Sequence, residues 1–195
     1  KRHDSAVFEL SKDPENSKNQ LYSMLDELEK LIIGITLLKE ATPRTLDLIM
    51  SFGERLSAFI ISKAIPGAAY LDSRDLIKTD DNFGNAELDV KVTEKKIREF
   101  FRTSKKLQII TGFIGSTDNN ETTTLGRGGS DYTASIFGAA LKVKEIVIYT
   151  DVDGIFTADP KKVKRVFCIP RITFKEALEL SHFGAKVIYP STMQP

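Results

Sequence analysis

Thr122-Thr123-Thr124-Leu125-Gly126-Arg127-Gly128-Gly129-Ser130-Asp131-Tyr132-Thr133-Ala134 sets three hydroxyls before a glycine-rich turn that carries one arginine. The Ser130-Asp131 pair then opens an apolar helical stretch that runs to Leu141. Glycines let backbone N–H groups approach a ligand that a Cβ would hold off. A helix start adds unpaired donors and the positive end of a dipole, which favour anions. Arg127 adds a planar fork suited to carboxylate or phosphate. The turn reads as a binding site for a small anionic ligand; the plain alternative is a strand-to-helix loop capped by Ser130 or Asp131.

The fold follows from what flanks this turn. The helix predicted over 130–141 precedes a strand over 145–150, whose Ile146-Val147-Ile148-Tyr149 run is nearly all apolar. Such runs suit strands buried on both faces of a parallel sheet. Before the turn, 107–111 reads as a β-branched strand stopped at Gly112, and 118–124 as a polar loop. A charged helix is predicted over 90–103 with Val92, Ile97, Phe100 and Phe101 inward, and a short strand over 68–71. Thr42-Pro43 is an N-cap followed by a first-turn proline. The helix after it carries Leu46, Ile49, Met50, Phe52, Leu56, Phe59, Ile60 and Ala64, and Pro66-Gly67 ends it. Leu21, Leu25, Leu28, Ile32, Ile35 and Leu38 recur at helical spacing, after a polar loop over 11–18. Thr173 caps a last helix to Leu180. Strands alternating with helices argue for an α/β layered domain. In open α/β sheets, ligands sit beyond the carboxyl ends of the strands, where Gly112, 126–131 and 150–153 fall.

The totals narrow the class. At 195 residues, with 41% hydrophobic side chains, the chain can build one sizeable core. Its 28 basic and 27 acidic residues leave a net charge of +1, which gives no footprint for nucleic acid. No apolar run is long enough to span a membrane. The single cysteine, Cys168, excludes an internal disulfide and fits a reducing, cytoplasmic setting. Its neighbours Val166, Phe167 and Ile169 suggest that it is packed. The chain starts without Met or a signal region, as an internal piece of a longer protein would.

Several familiar chemistries are absent. There is no Gly-Lys pair and so no P-loop lysine. The two histidines, His3 and His182, are too few for a histidine-rich metal site, and Gly126-Arg127-Gly128-Gly129 does not match a dinucleotide fingerprint. Four other segments stand out. Ser51-Phe52-Gly53-Glu54-Arg55 puts a glycine and a carboxylate inside an apolar helix, where glycine costs about 1 kcal/mol relative to alanine. Either something approaches Gly53 closely from outside, or it packs against a neighbouring element with Glu54 paired to Arg55 or solvent. Gly112-Phe113-Ile114-Gly115 is a hydrophobic turn or a plain connector. The run from Thr150 through Asp151, Asp153 and Phe156 to Pro160 is a metal or ribose site, or a long turn with Asx caps. Phe183-Gly184-Ala185-Lys186 is a ligand lysine, or C-cap chemistry.

Taken together, 51–54, 83–89, 112–115, 122–134, 150–160 and 183–190 resemble, in their order, the aspartate kinase (aspartokinase) catalytic domain of the amino-acid kinase superfamily. The resemblance covers most of 43–195 and looks closest to the single-function, lysine-sensitive type. It implies a partial three-layer αβα sandwich with a mainly parallel central sheet. Residues 1–42 would form a helical N-terminal part and 43–195 the substrate- and nucleotide-binding part. It implies transfer of the ATP γ-phosphoryl group to the β-carboxylate of L-aspartate, towards lysine, threonine and methionine, by a homo-oligomeric parent. Glu54, Phe113, Arg127, Gly128, Gly129, Ser130 and Asp131 match aspartate-binding positions, with Arg127 and Asp131 at the reacting centre. Arg127 would grip the α-carboxylate while Glu54 and Asp131 hold the α-ammonium. Thr150, Asp151, Phe156, Lys161 and Lys186 match nucleotide-binding positions, and Mg2+ is expected on the phosphates.

The chain departs from the family pattern in places. The Lys-Phe-Gly-Gly-Thr-Ser opening segment, whose lysine contacts phosphates, is absent. So are the strand after it and the regulatory domains, and this stretch alone is expected to be inactive or nearly so. Phe156 stands where Tyr is common, Lys161 where Arg is, and Tyr189 where His is. Other amino-acid kinases, acting on glutamate, acetylglutamate or carbamate, are the first alternative. Glu54 with Arg127 and Asp131 suits a free ammonium and α-carboxylate better. A non-catalytic ligand-binding module is the second alternative.

Overall fold

Short capping signals set most of the element boundaries in the computed structural model, which describes residues 2–150, 154–158 and 162–182. Helix α1 (Arg2–Leu10) precedes α2 (Pro14–Leu38), where Asp13 accepts from the Asn16 N–H and Pro14 takes the first turn. The loop predicted over 11–18 is therefore only a short break, because Asp13-Pro14 starts a helix rather than ending one. Thr42 accepts from the Thr45 N–H at the head of α3 (Pro43–Ala64), as its sequence requires. Strand β1 (Ala69–Leu71) leads to a single 3-10 turn at Ser73–Asp75. Asp89 caps α4 (Val90–Thr103) through the Val92 N–H. Strands β2 (Gln108–Ile110), β3 (Ile114–Ser116) and β4 (Thr122–Thr124) follow, then α5 (Gly129–Leu141) and α6 (Phe174–His182). At α6, Thr173 and Glu176 cap each other reciprocally.

The architecture is α/β in layers. β1 and β2 pair in parallel, Tyr70 opposite Ile109, while β3 and β4 form an antiparallel hairpin, Gly115 opposite Thr123. Side chains alternate across a strand, and β1 shows the consequence. Tyr70 packs on the core of α1, α2 and α3, which buries Val7, Leu21, Phe52, Leu56, Phe59 and Ile60. Leu71 enters the opposite core, with Ile97 of α4 and Ile136, Phe137 and Ala140 of α5. Among the described residues, no helix is long and apolar enough to cross a membrane.

Several expectations change. Thr122–Thr124 is a strand, not part of a polar loop, because its hydroxyls find partners inside the protein. Residues 145–150 form no strand: Val147 and Tyr149 are 60% and 94% exposed. A strand apolar on both faces needs strands on its edges, and among the described residues no strand pairs with it. Cys168 is exposed, as is neighbouring Phe167, so local apolarity did not bury the thiol. Val92 of α4 also faces outward, and the α2 stripe is buried only at its start, with Leu38 exposed.

Candidate functional site

The site is assembled where β2 ends, where the β3–β4 hairpin closes, and where α5 begins. Phe113 holds a left-handed backbone, φ +68°, right after Gly112. That conformation is costly for a side chain other than glycine, and two hydrogen bonds fix it. The Phe113 N–H donates to Thr133 Oγ1 at 3.0 Å, and the Leu125 N–H donates to its carbonyl at 2.9 Å. The Phe113 ring is thereby laid against the turn: a Cβ on Gly129 would lie 2.7 Å from Phe113 Cδ2. A Cβ on Gly112 would lie 3.0 Å from both Cβ and Oγ of Ser130. Gly126, at φ +71°, lies directly against the Asn85 side chain. Close approach of Ser130, Asn85 and Phe113 excludes a Cβ at Gly112, Gly126 and Gly129, so in the structure it is the protein's own side chains that crowd these glycines.

Helix α5 starts on Gly128, at φ +73°, without any side-chain cap. Ser130 and Asp131 therefore do not serve as the cap that the plain alternative required. The first-turn N–H groups of α5 face the turn with the positive end of the helix dipole. Arg127 is exposed on this turn and Asp131 half-buried in the first turn of α5.

Glu54 reaches the same place from α3. Its carboxylate accepts from the Gly112 N–H, and half-burial pushes its pKa above the ordinary glutamate range while that bond partly offsets the rise. It does not pair with Arg55. That guanidinium instead turns inward, 3.1 Å from Glu27 and 3.8 Å from Asp72, stacked over Phe52. A Cβ on Gly53 would meet nothing within 4 Å, so no described element packs there. The structure thus brings Glu54, Gly112, Phe113, Gly129 and Ser130 together, with Arg127, Gly128 and Asp131 on the same turn.

Of the nucleotide-side candidates, Thr150 is exposed, and Phe156 is half-buried in a bridge to Cys168. Asp151, Lys161 and Lys186 lie outside the described residues.

Sequence reasoning missed the residues that hold the site. Each threonine of β4 is bound to a different element. Arg74 Nη1 donates to Thr122 Oγ1 at 2.8 Å, Thr123 Oγ1 and Thr79 Oγ1 are 2.7 Å apart, and Thr124 Oγ1 donates to Asp47 Oδ1 at 2.8 Å. Lys78, buried, donates to Ser116 Oγ, the Thr117 carbonyl and Asn120 Oδ1, and burial lowers its pKa from the usual lysine value. The available signal was Asp47, a carboxylate set among Leu46, Leu48, Ile49 and Met50 in the same helix as Glu54.

The sequence profile of the amino acid kinase family matches residues 4–195. Aspartokinase 1, chloroplastic, of Arabidopsis thaliana is 38% identical over 99% of this chain and 35% of its own length. Lysine-sensitive aspartokinase 3 of Escherichia coli K12 is 39% identical over 87% of this chain and 40% of its own. The chain thus spans roughly a third to two fifths of these relatives. The crystal structure of E. coli aspartokinase III in complex with aspartate and ADP superposes with a TM-score of 0.89 at 35% identity, over 97% of this chain and 43% of that one. With its layered α/β architecture, its glycine-rich turn and a profile match over nearly all of its residues, the chain belongs to the amino acid kinase family.

Proposed function

We propose that the full-length protein transfers the γ-phosphoryl group of ATP to the β-carboxylate of L-aspartate. The observation that carries this reading is the meeting of Glu54 with the Gly112–Phe113 corner and the Gly128–Asp131 turn. A half-buried carboxylate with a raised pKa gains most from a cation placed beside it. The α-ammonium of an amino acid supplies one. Arg127 offers a bidentate grip for the α-carboxylate, and the open N–H groups of α5 reinforce it. Asp131 closes on the ammonium from the other side. The β-carboxylate is then left to face the nucleotide, whose contacts we assign to Thr150, Asp151, Phe156, Lys161 and Lys186. Residues 1–42 serve as the helical support and 43–195 as the ligand-binding part.

Phosphoryl transfer depends mainly on alignment and charge neutralisation, and these residues supply alignment. No group of three His, Cys, Asp or Glu that could hold a metal exists among the described residues. We place Mg2+ on the nucleotide, held by phosphate oxygens and water. The relatives named aspartokinases, and the related structure holding aspartate and ADP, support this substrate pair. The exposed thiol of Cys168 suits a reducing compartment such as the cytoplasm.

The test is an ADP-release assay on the full-length protein, with hydroxylamine trapping of the acyl phosphate. L-aspartate should support turnover, and glutamate, acetylglutamate and carbamate should not. Turnover with one of those and none with aspartate overturns the proposal.

A further inference from the structure

We infer that Asp47 is the positioning residue that sets the amino-acid pocket by locking α3 to the strand that carries the glycine-rich turn. Asp47 is fully buried, at 0% exposure. Among the described residues no Lys or Arg pairs with it. A buried carboxylate without a cation is tolerated only where donors are aimed at it, and three are. The Thr124 N–H and the Gly84 N–H both donate to Oδ2 at 2.9 Å, and Thr124 Oγ1 donates to Oδ1 at 2.8 Å.

The three donors come from the two segments that shape the turn. Thr124 ends β4, two residues before Gly126. Gly84 belongs to the loop whose Asn85 side chain lies against Gly126 and whose Ala86 N–H donates to the Thr124 carbonyl at 2.9 Å. Asp47 and Glu54 are seven residues apart on α3, two turns along one face. One end of that face is therefore bonded to the strand entering the turn. The other is bonded, through Gly112, to the corner against which Ser130 leaves it. Asp47 fixes the distance between Glu54 and the Arg127–Asp131 groups without touching substrate.

This inference rests on the aspartate reading above, and its test separates the two. In the full-length protein, KM for L-aspartate and for ATP is measured for wild type, Asp47→Ala, Asp47→Asn and Thr124→Val. Asp47→Ala should raise the aspartate KM at least tenfold while the ATP KM stays within twofold. Asp47→Asn should stay within threefold of wild type, because Asn Oδ1 accepts both N–H groups and its amide donates to Thr124 Oγ1, which can accept. Thr124→Val, which keeps shape and backbone bond, should show the same split at smaller amplitude, and it carries the test if Asp47→Ala fails to fold. Equal changes in both KM values, an unchanged aspartate KM in Asp47→Ala and Thr124→Val, or an Asp47→Asn variant as impaired as Asp47→Ala overturns the inference while wild type still turns over aspartate. A wild type that does not use aspartate overturns the substrate reading, and the inference with it.

Discussion

Gly129→Ala tests the site with a single carbon atom. The added Cβ would lie 2.7 Å from Phe113 Cδ2, 3.2 Å from Phe113 Cα and 3.3 Å from Leu125 Cβ. The ring cannot simply back away, because Phe113 is pinned by Thr133 and Leu125 in a left-handed conformation. Overpacking of this kind costs about 1–3 kcal/mol. Alanine recovers up to about 1 kcal/mol relative to glycine in a helix. The net expectation is a loss of roughly 1–2 kcal/mol, a factor of about 5–30. The turn yields where it is least restrained, at the exposed Arg127 side, so the penalty should fall on the aspartate KM as well as on stability. Initial rates with aspartate varied, beside denaturant unfolding of the same full-length variant, read both. Gly53→Ala is the internal control: nothing in the described chain meets its new methyl, and it should stabilise by about 0.5–1 kcal/mol. Wild-type KM and wild-type stability in Gly129→Ala would refute the packing of Phe113 on the turn, and with it the proposed pocket.

Three further outcomes follow from the same geometry. Arg127→Ala should leave stability unchanged, since the side chain is exposed, and raise the aspartate KM about ten- to a hundredfold, the range for a charged hydrogen bond, with ATP much less affected. Aspartate binding should weaken as pH falls through a midpoint above the ordinary glutamate range, because Glu54 must be ionised to hold the ammonium, and Glu54→Gln should abolish that dependence. For stability the sign reverses: a carboxyl raised in the fold favours folding at low pH and loses that contribution as pH rises from its unfolded value through its folded one. Glu54→Gln should therefore raise the unfolding midpoint at neutral pH while impairing binding.

What could be read from the sequence was what is decided locally. Thr42-Pro43 and Thr173 each satisfy N–H groups within four residues, so α3 and α6 were legible at their starts. The glycines of the turn were legible as positions without room for a Cβ, but not what fills that room: Asn85 lies against Gly126 and Phe113 against Gly129. Pairing was not legible. Thr122–Thr124 reads as a loop until Arg74, Thr79 and Asp47 are brought to it, and none of those is near in sequence. Residues 146–149 have the composition of a strand, yet composition supplies no neighbour to bond with. Asp47 was overlooked because an acid in a helix gives no hint of donors on a distant hairpin. The partner of Arg55 was missed for the same reason: Glu54 is adjacent in sequence, but Glu27 and Asp72 are adjacent in space.

The anchoring of β4 also fixes when the site can form. The hairpin with β3 closes over a short span and can form early. Its threonines, however, are bonded across 48, 44 and 77 residues. Contacts of such separation require loop closure before they return any stabilisation. The glycine-rich turn is therefore expected to gain its final shape only after α3 has docked, near the end of folding. Conservative changes at Thr124 or Asp47 should then speed unfolding and leave the folding rate nearly untouched, the signature of an interaction absent from the transition state.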